Sequence, residues 1–244
     1  MDIPQKVYGQ VFYDNQQAGS YRSACIILRE IIDTLAPVSV VDVGCGRGTW
    51  LKGCLDLGVR EVAGYDGPWA IDAGLLVDKS LFHAINLEHP LPTIPRCDLA
   101  ISLEVIEHLT DSSGRMLINE LTQASDCVLF SGAIPHQGGE NHINERWHTY
   151  WDGVFKEHHY VGFDYLRDLF WSDSRIEWWY RQNTIVYAKE DSPAYFRLVR
   201  RVGAITPILD KVHPEKYIQL TQEIQAARTQ KQKSGRGLRG LLGS

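Results

Sequence analysis

Hydrophobic positions along the first 190 residues fall into two rhythms, one helical and one of strands. Ala24, Ile27, Leu28, Ile31, Ile32 and Leu35 recur at helical spacing and stop before Pro37, which predicts an amphipathic helix. The β-branched run Val38, Val40, Val41, Val43 then reads as a buried strand over 38–43. A helix over Thr49–Leu57, a strand over Val59–Tyr65, a weak strand over Leu81–Leu87 and a strand over Cys97–Leu103 come next. A helix around 112–124 leads into a fifth strand over Cys127–Gly132. Residues 175–188 alternate again (Ile176, Trp178, Tyr180 against Glu177 and Arg181) and continue through Thr184–Ala188, the pattern of antiparallel closing strands. Strands and helices alternating at this pitch predict an α/β fold with a doubly wound, mostly parallel sheet and helices on both faces.

At 244 residues the chain is long enough to bury a substantial core, and 44% hydrophobic with 23% charged residues is ordinary globular composition. A net charge of -5 gives no global attraction to nucleic acid or anionic lipid, which argues against a nucleic-acid partner. Five cysteines without a C-x-x-C pair read as reduced, mostly buried thiols. No apolar run reaches membrane-spanning length, and Met1–Lys6 lack a signal layout; a cytoplasmic location is the expectation. From Asp191 the balance turns basic and ends in a glycine-rich tail over Lys231–Gly240. This places a catalytic domain over 1–190 and a C-terminal helical and basic extension over 191–244.

The chemistry starts at Asp42-Val43-Gly44-Cys45-Gly46-Arg47-Gly48, a strand breaking into a turn that opens a helix. Glycine removes the Cβ that would keep a ligand off the backbone. The G-x-G-x-G spacing with an acid two residues earlier resembles the first motif of the class I S-adenosylmethionine (SAM)-dependent methyltransferases, whose Rossmann-like sheet has seven strands. Ligands bind at the carboxyl ends of such strands. Asp66, about 20 residues beyond the glycines and followed by Gly67, can accept the ribose hydroxyls. Asn86 and Leu87 are placed for adenine, Ser102 and Leu103 for the methionine portion, and Trp50 for the adenine or the sulfonium. A nicotinamide dinucleotide enzyme would want G-x-G-x-x-G and a separate substrate domain. The strand-four exit, Leu103-Glu104-Val105-Ile106, lacks the Asn-Pro-Pro-Tyr type of motif used on exocyclic amines, which points to an oxygen acceptor.

Glu104, Glu107 and His108 fall at i, i+3 and i+4, one face of a helical turn, where an oxygen-rich set would suit Mg²⁺ or Mn²⁺. This E-x-x-E-H arrangement is similar to the metal site of ubiquinone-pathway O-methyltransferases and of small-RNA 2′-O-methyltransferases, the latter adding a downstream histidine. The polar loop over 133–148 supplies His136, His142 and His148, of which His142 is the expected fourth ligand. An alcohol does not ionise near neutrality, so His142 as base, or the cluster with His108 acting through a cation, would have to take its proton. The stretches Ile134–Trp147 and Trp178–Asn183 resemble bacterial methyltransferases of glycan, polysaccharide and natural-product tailoring. The resemblance implies an O-methyltransferase using SAM on a sugar-like, glycan or natural-product hydroxyl, with or without the help of a divalent metal. An RNA ribose 2′-O-methyltransferase and a non-catalytic SAM-binding interaction module are the alternatives.

Overall fold

The computed structural model describes residues 10–240, with side chains from 18 to 228. The expectation about Met1–Lys6 and the side chains of the 231–240 tail lie outside the described residues. Seven strands form one sheet in the order β3-β2-β1-β4-β5-β7-β6. They are β1 Ser39–Val43, β2 Glu61–Asp66, β3 Phe82–Ala84, β4 Leu99–Leu103, β5 Cys127–Ser131, β6 Tyr160–Phe163 and β7 Ile185–Lys189. The pairs β1–β2, β1–β4, β2–β3 and β4–β5 are parallel. β7 runs antiparallel to both β5 and β6. The strand order therefore reverses between β1 and β4, the point beyond whose carboxyl ends sheets of this kind bind their ligands.

Successive residues of a strand face opposite sides, so the sheet divides the core in two. Val40, Leu99, Ile101, Leu129 and Val186 pack on one side with helices α1 (Gln10–Leu35) and α2 (Thr49–Asp56). Val41, Val43, Ala100, Phe130 and Tyr187 pack on the other with α4 (Asp111–Ala124) and α5 (His148–Glu157). The near-continuous hydrophobicity of β1, β4 and β5 follows from burial on both faces.

Two expectations are corrected. The closing strands are β6 and β7; residues 178–183 instead form a short helix, α7 (Trp178–Asn183), with Tyr180 to Asn183 buried. A period of two over Ile176, Trp178 and Tyr180 is too short to exclude a helical turn, and the Tyr180 N–H donates to the Glu177 carbonyl. β6 has four residues sandwiched between α5 and α6 (Tyr165–Phe170), too few to show alternation. The boundary at Asp191 also moves. The first compact unit runs to Asp210, because α8 (Pro193–Val202) buries Leu198 in the same core as α1. The second unit begins at Lys211 and consists mainly of α9 (Pro214–Gly240), which exposes Tyr217, Ile218 and Ile224. Among the described residues no helix is long and apolar enough to cross a membrane.

Candidate active site and cofactor cleft

β1 ends in a turn whose Gly44, Gly46 and Gly48 all have positive φ (84°, 53° and 85°), a region open to glycine at little cost. A Cβ on Gly46 would meet nothing within 4 Å, so this backbone faces open space. Behind the turn, Asp42 is buried and its Oδ2 has no hydrogen-bond partner. Burial, then the nearby Asp66 carboxylate, push Asp42 well above the usual carboxylate range. A buried acid without a donor is costly unless a proton or a cation satisfies it. Asp66 at the end of β2 accepts the N–H groups of Gly46 and Gly67, each at 2.6 Å. Burial raises its pKa in spite of those donors. An open glycine cradle backed by an orphaned acid and flanked by a second one fits a cationic nucleoside such as SAM.

The other expected cofactor residues divide. Ser102 and Leu103 sit at the end of β4, both buried, and the Ser102 hydroxyl has no partner. Asn86 is exposed, and its Oδ1 accepts the Glu88 N–H at 3.0 Å, closing a local turn; Leu87 packs against the core. Trp50 is corrected. It is buried, its ring meets Tyr180 edge-on at 5.2 Å, and its N–H points to the Tyr180 hydroxyl, so it forms core rather than a cleft wall.

The acidic motif after β4 does not form the helical turn that would align Glu104 with Glu107. Glu104 has φ 54°, and a single 3-10 turn over Ile106–His108 follows. The Glu104 carboxylate accepts Gln137 Nε2 at 2.8 Å and Asn183 Nδ2 at 2.9 Å. Gln182 and His148 complete this buried amide network on Asn183 Oδ1, at 3.0 and 3.2 Å. Glu107, His108 and His142 instead converge, with a ligand atom of each lying within 4.8 Å of the others. His142 Nε2 is 4.0 Å from Glu107 Oε1, and the two histidine rings are 4.9 Å apart. Of the four residues expected to bind a metal, the structure brings Glu107, His108 and His142 together and holds Glu104 in the amide network.

Glu107 is 1% exposed and neither carboxylate oxygen has a hydrogen-bond partner. Burial, then the Glu104 charge, push its pKa well up. Burial, then His142, lower that of His108. His142 Nδ1 contacts Glu145 Oε1 at 3.0 Å. Because a carboxylate only accepts, Nδ1 carries the hydrogen, and Nε2 is the ring atom turned toward Glu107. Although burial works against it, the hydrogen bond from His142 and the N–H groups of Gly138 and His136 hold Glu145 below the usual range. A carboxylate behind a histidine orients either a metal ligand or a general base. Two imidazoles and one carboxylate suit Mn²⁺ or Zn²⁺ better than Mg²⁺. Gly139 lies directly over this ring, since a Cβ there would fall 2.2 Å from His142 Nε2.

Sequence reasoning missed the amide network. Its only trace is the polar run Arg181-Gln182-Asn183 in an otherwise aromatic segment. Of the other loop histidines, His136 is exposed with its N–H on Glu145, and His148 is buried in the amide network.

Residues 16–172 match the family described as a methyltransferase domain. No curated protein matches the chain in sequence. Among solved structures, CalS10 from Micromonospora echinaspora, an amino pentose methyltransferase involved in calicheamicin biosynthesis, is 12% identical with a TM-score of 0.52. That match covers 77% of this chain and 100% of CalS10. TnmH is 15% identical with a TM-score of 0.50, over 72% of this chain and 56% of its own. Human N-acetylserotonin methyltransferase, in complex with SAM, is 15% identical with a TM-score of 0.42, over 77% of this chain and 60% of its own. The chain thus spans less than two thirds of the length of the latter two.

Proposed function

The chain belongs to the methyltransferase-domain family, as a class I SAM-dependent methyltransferase, and from that premise we propose that it methylates a hydroxyl oxygen. The acceptor in this reading is sugar-like, a glycan or a natural product, met in the cytoplasm. The observation that carries the reading is the buried, unpartnered Glu107 facing His142 at the exit of β4. SAM supplies a methyl group on a positively charged sulfur that departs with the S–C bonding electrons, so the hard chemistry is the cofactor's. Asp66 would hold the ribose hydroxyls, the Gly44–Gly46 backbone would receive the adenosyl and methionine portions with Gly67, Ser102 and Leu103 alongside, and Asp42 would supply negative charge beneath them.

What remains for the protein is to orient an acceptor oxygen and remove its proton. His142 Nε2 accepts that proton while Glu145 keeps the ring in the required tautomer and stabilises the imidazolium. Glu107, His108 and His142 are also the residues that would hold a divalent cation, whose charge would lower the pKa of a neighbouring hydroxyl. Trp147, 40% exposed in the same loop, offers an apolar face to a sugar ring, and Asn141 and Glu140 offer polar groups to its hydroxyls. CalS10, an amino pentose methyltransferase, shares the fold.

The test is methyl transfer from labelled SAM to a panel of sugar and natural-product alcohols. Turnover is expected on hydroxyl acceptors, to be lost in EDTA and restored by Mn²⁺ more fully than by Mg²⁺. Transfer only to amines would overturn the oxygen acceptor. Full turnover in chelator would remove the metal and leave His142 as the base.

A further inference from the structure

Two segments that follow strands of the sheet are held very differently. Beyond β2, α3 (Trp69–Asp72) is four residues long and buries Ala70 alone. The histidine loop over 133–148 is instead fastened at several points, and Arg146 takes part in most of them. The Glu107 carbonyl accepts two N–H groups of this loop, from Ile143 at 2.9 Å and from Asn144 at 3.1 Å. The residues after His142 are thus stitched to the backbone of Glu107 itself. Asn144 is buried, and its Oδ1 accepts Arg146 Nε at 2.9 Å. The Arg146 N–H donates to the Ala133 carbonyl at 3.2 Å, closing the loop where the chain leaves β5. The guanidinium also reaches beyond the loop. Its Nη2 lies 3.5 Å from Asp111 Oδ1, on the first residue of α4, and its carbon lies 5.0 Å from the centre of the Tyr150 ring on α5. The Tyr150 hydroxyl donates to the same Asp111 oxygen at 2.6 Å. Asp111 follows closely on the turn Ile106–His108, so it continues the segment that carries Glu107 and His108. Arg146 therefore grips both pieces of chain that form the cluster of Glu107, His108 and His142.

We propose that Arg146 is a positioning residue: its guanidinium holds Asn144, and through Asn144 the loop, in the register that sets His142 against Glu107. The inference rests on His142 and Glu107 being the working groups, part of the function proposed above. The Arg146 side chain is 46% exposed and that of Asp111 39%, and ion pairs this open add little to overall stability. Position is another matter, because a misplacement of about 1 Å can cost about a hundredfold in rate. Lysine is no substitute here. Its point charge lacks the planar fork that meets Asn144 and Asp111 together while facing the Tyr150 ring.

The experiment uses the full chain and reads hydrogen exchange at the Ile143 and Asn144 amides, urea unfolding, and methyl transfer from labelled SAM to an alcohol accepted in the panel above. In Arg146→Ala the two amides should exchange about tenfold faster or more, and kcat should fall about tenfold or more. The unfolding midpoint and the affinity for S-adenosylhomocysteine should stay as they are. Arg146→Lys, which keeps the charge and the stem, should show the same faster exchange and lowered kcat. Unaltered exchange in both variants, or lysine restoring both protection and rate, would overturn the clasp. His142→Ala separates the two ideas. If it turns over at the unaltered rate, the underlying reading of the site fails, whatever Arg146 does. If it is inactive while Arg146→Ala keeps its full rate, the positioning role alone fails.

Discussion

His142 is gripped from three directions: Glu145 at Nδ1, Glu107 facing Nε2, and the Gly139 backbone across the ring. Replacing it with alanine is expected to lower kcat by about 10²–10⁴-fold, the usual worth of a positioned general base. Affinity for S-adenosylhomocysteine should be unchanged, which labelled transfer and calorimetry together would show. Gly46→Val should do the reverse. It forces a β-branched residue into φ 53° and fills the open space before the cradle, so calorimetry should find cofactor affinity reduced at least tenfold while the fold survives. His148 bears on stability. Burial, then the Arg167 charge, hold its pKa down to about 3. The unfolded chain binds this proton below about pH 6.5 and the folded chain does not. Its contribution is therefore complete above pH 6.5 and declines as pH falls toward 3. Urea unfolding should show about 2 kcal/mol less stability at pH 5 than at pH 7 from this group. His148→Gln should remove that part of the slope.

Helix α7 is what links the sheet's closing strand to the active site. It hands Asn183 to Glu104, and its first turn is tied to α1 by the Glu177 N–H on Ser23 Oγ at 3.0 Å. Asn183→Leu would take one hydrogen bond each from Glu104, Gln137 and Gln182 and the partner of His148 Nε2 in a buried network. A loss of about 2–4 kcal/mol is expected in chemical denaturation, beyond what one hydrogen bond is worth. Here sequence and structure part company in an instructive way. β1, β2, β4, β5 and the glycine turn were legible because burial on both faces and a steric need for glycine leave direct marks on residue type. α7 and β6 were not, since segments of six and four residues carry less than two turns or two full alternations. The convergence of Glu107, His108 and His142 was half visible. The spacing brought the first two together, but a left-handed φ at Glu104, which no residue type announces, turned that side chain away to the amides.

Across the whole molecule, two compact units meet the end of the chain differently. The first includes α8 and closes at Asp210, whose carboxylate accepts the Thr149 N–H and hydroxyl at the start of α5, each at 3.0 Å. A chain ending at Asp210 should therefore fold and bind S-adenosylhomocysteine within about twofold of the full chain, measured by calorimetry, whereas Leu198→Ala should cost about 2–5 kcal/mol. The amide network sets a condition on any attempt to redirect this scaffold. Glu104, Gln137 and Asn183 come from three separate parts of the chain yet share one set of hydrogen bonds. Grafting the histidine loop onto a cousin scaffold would carry the visible chemistry and leave its foundations behind, so a working transplant must move residues 182 and 183 with it.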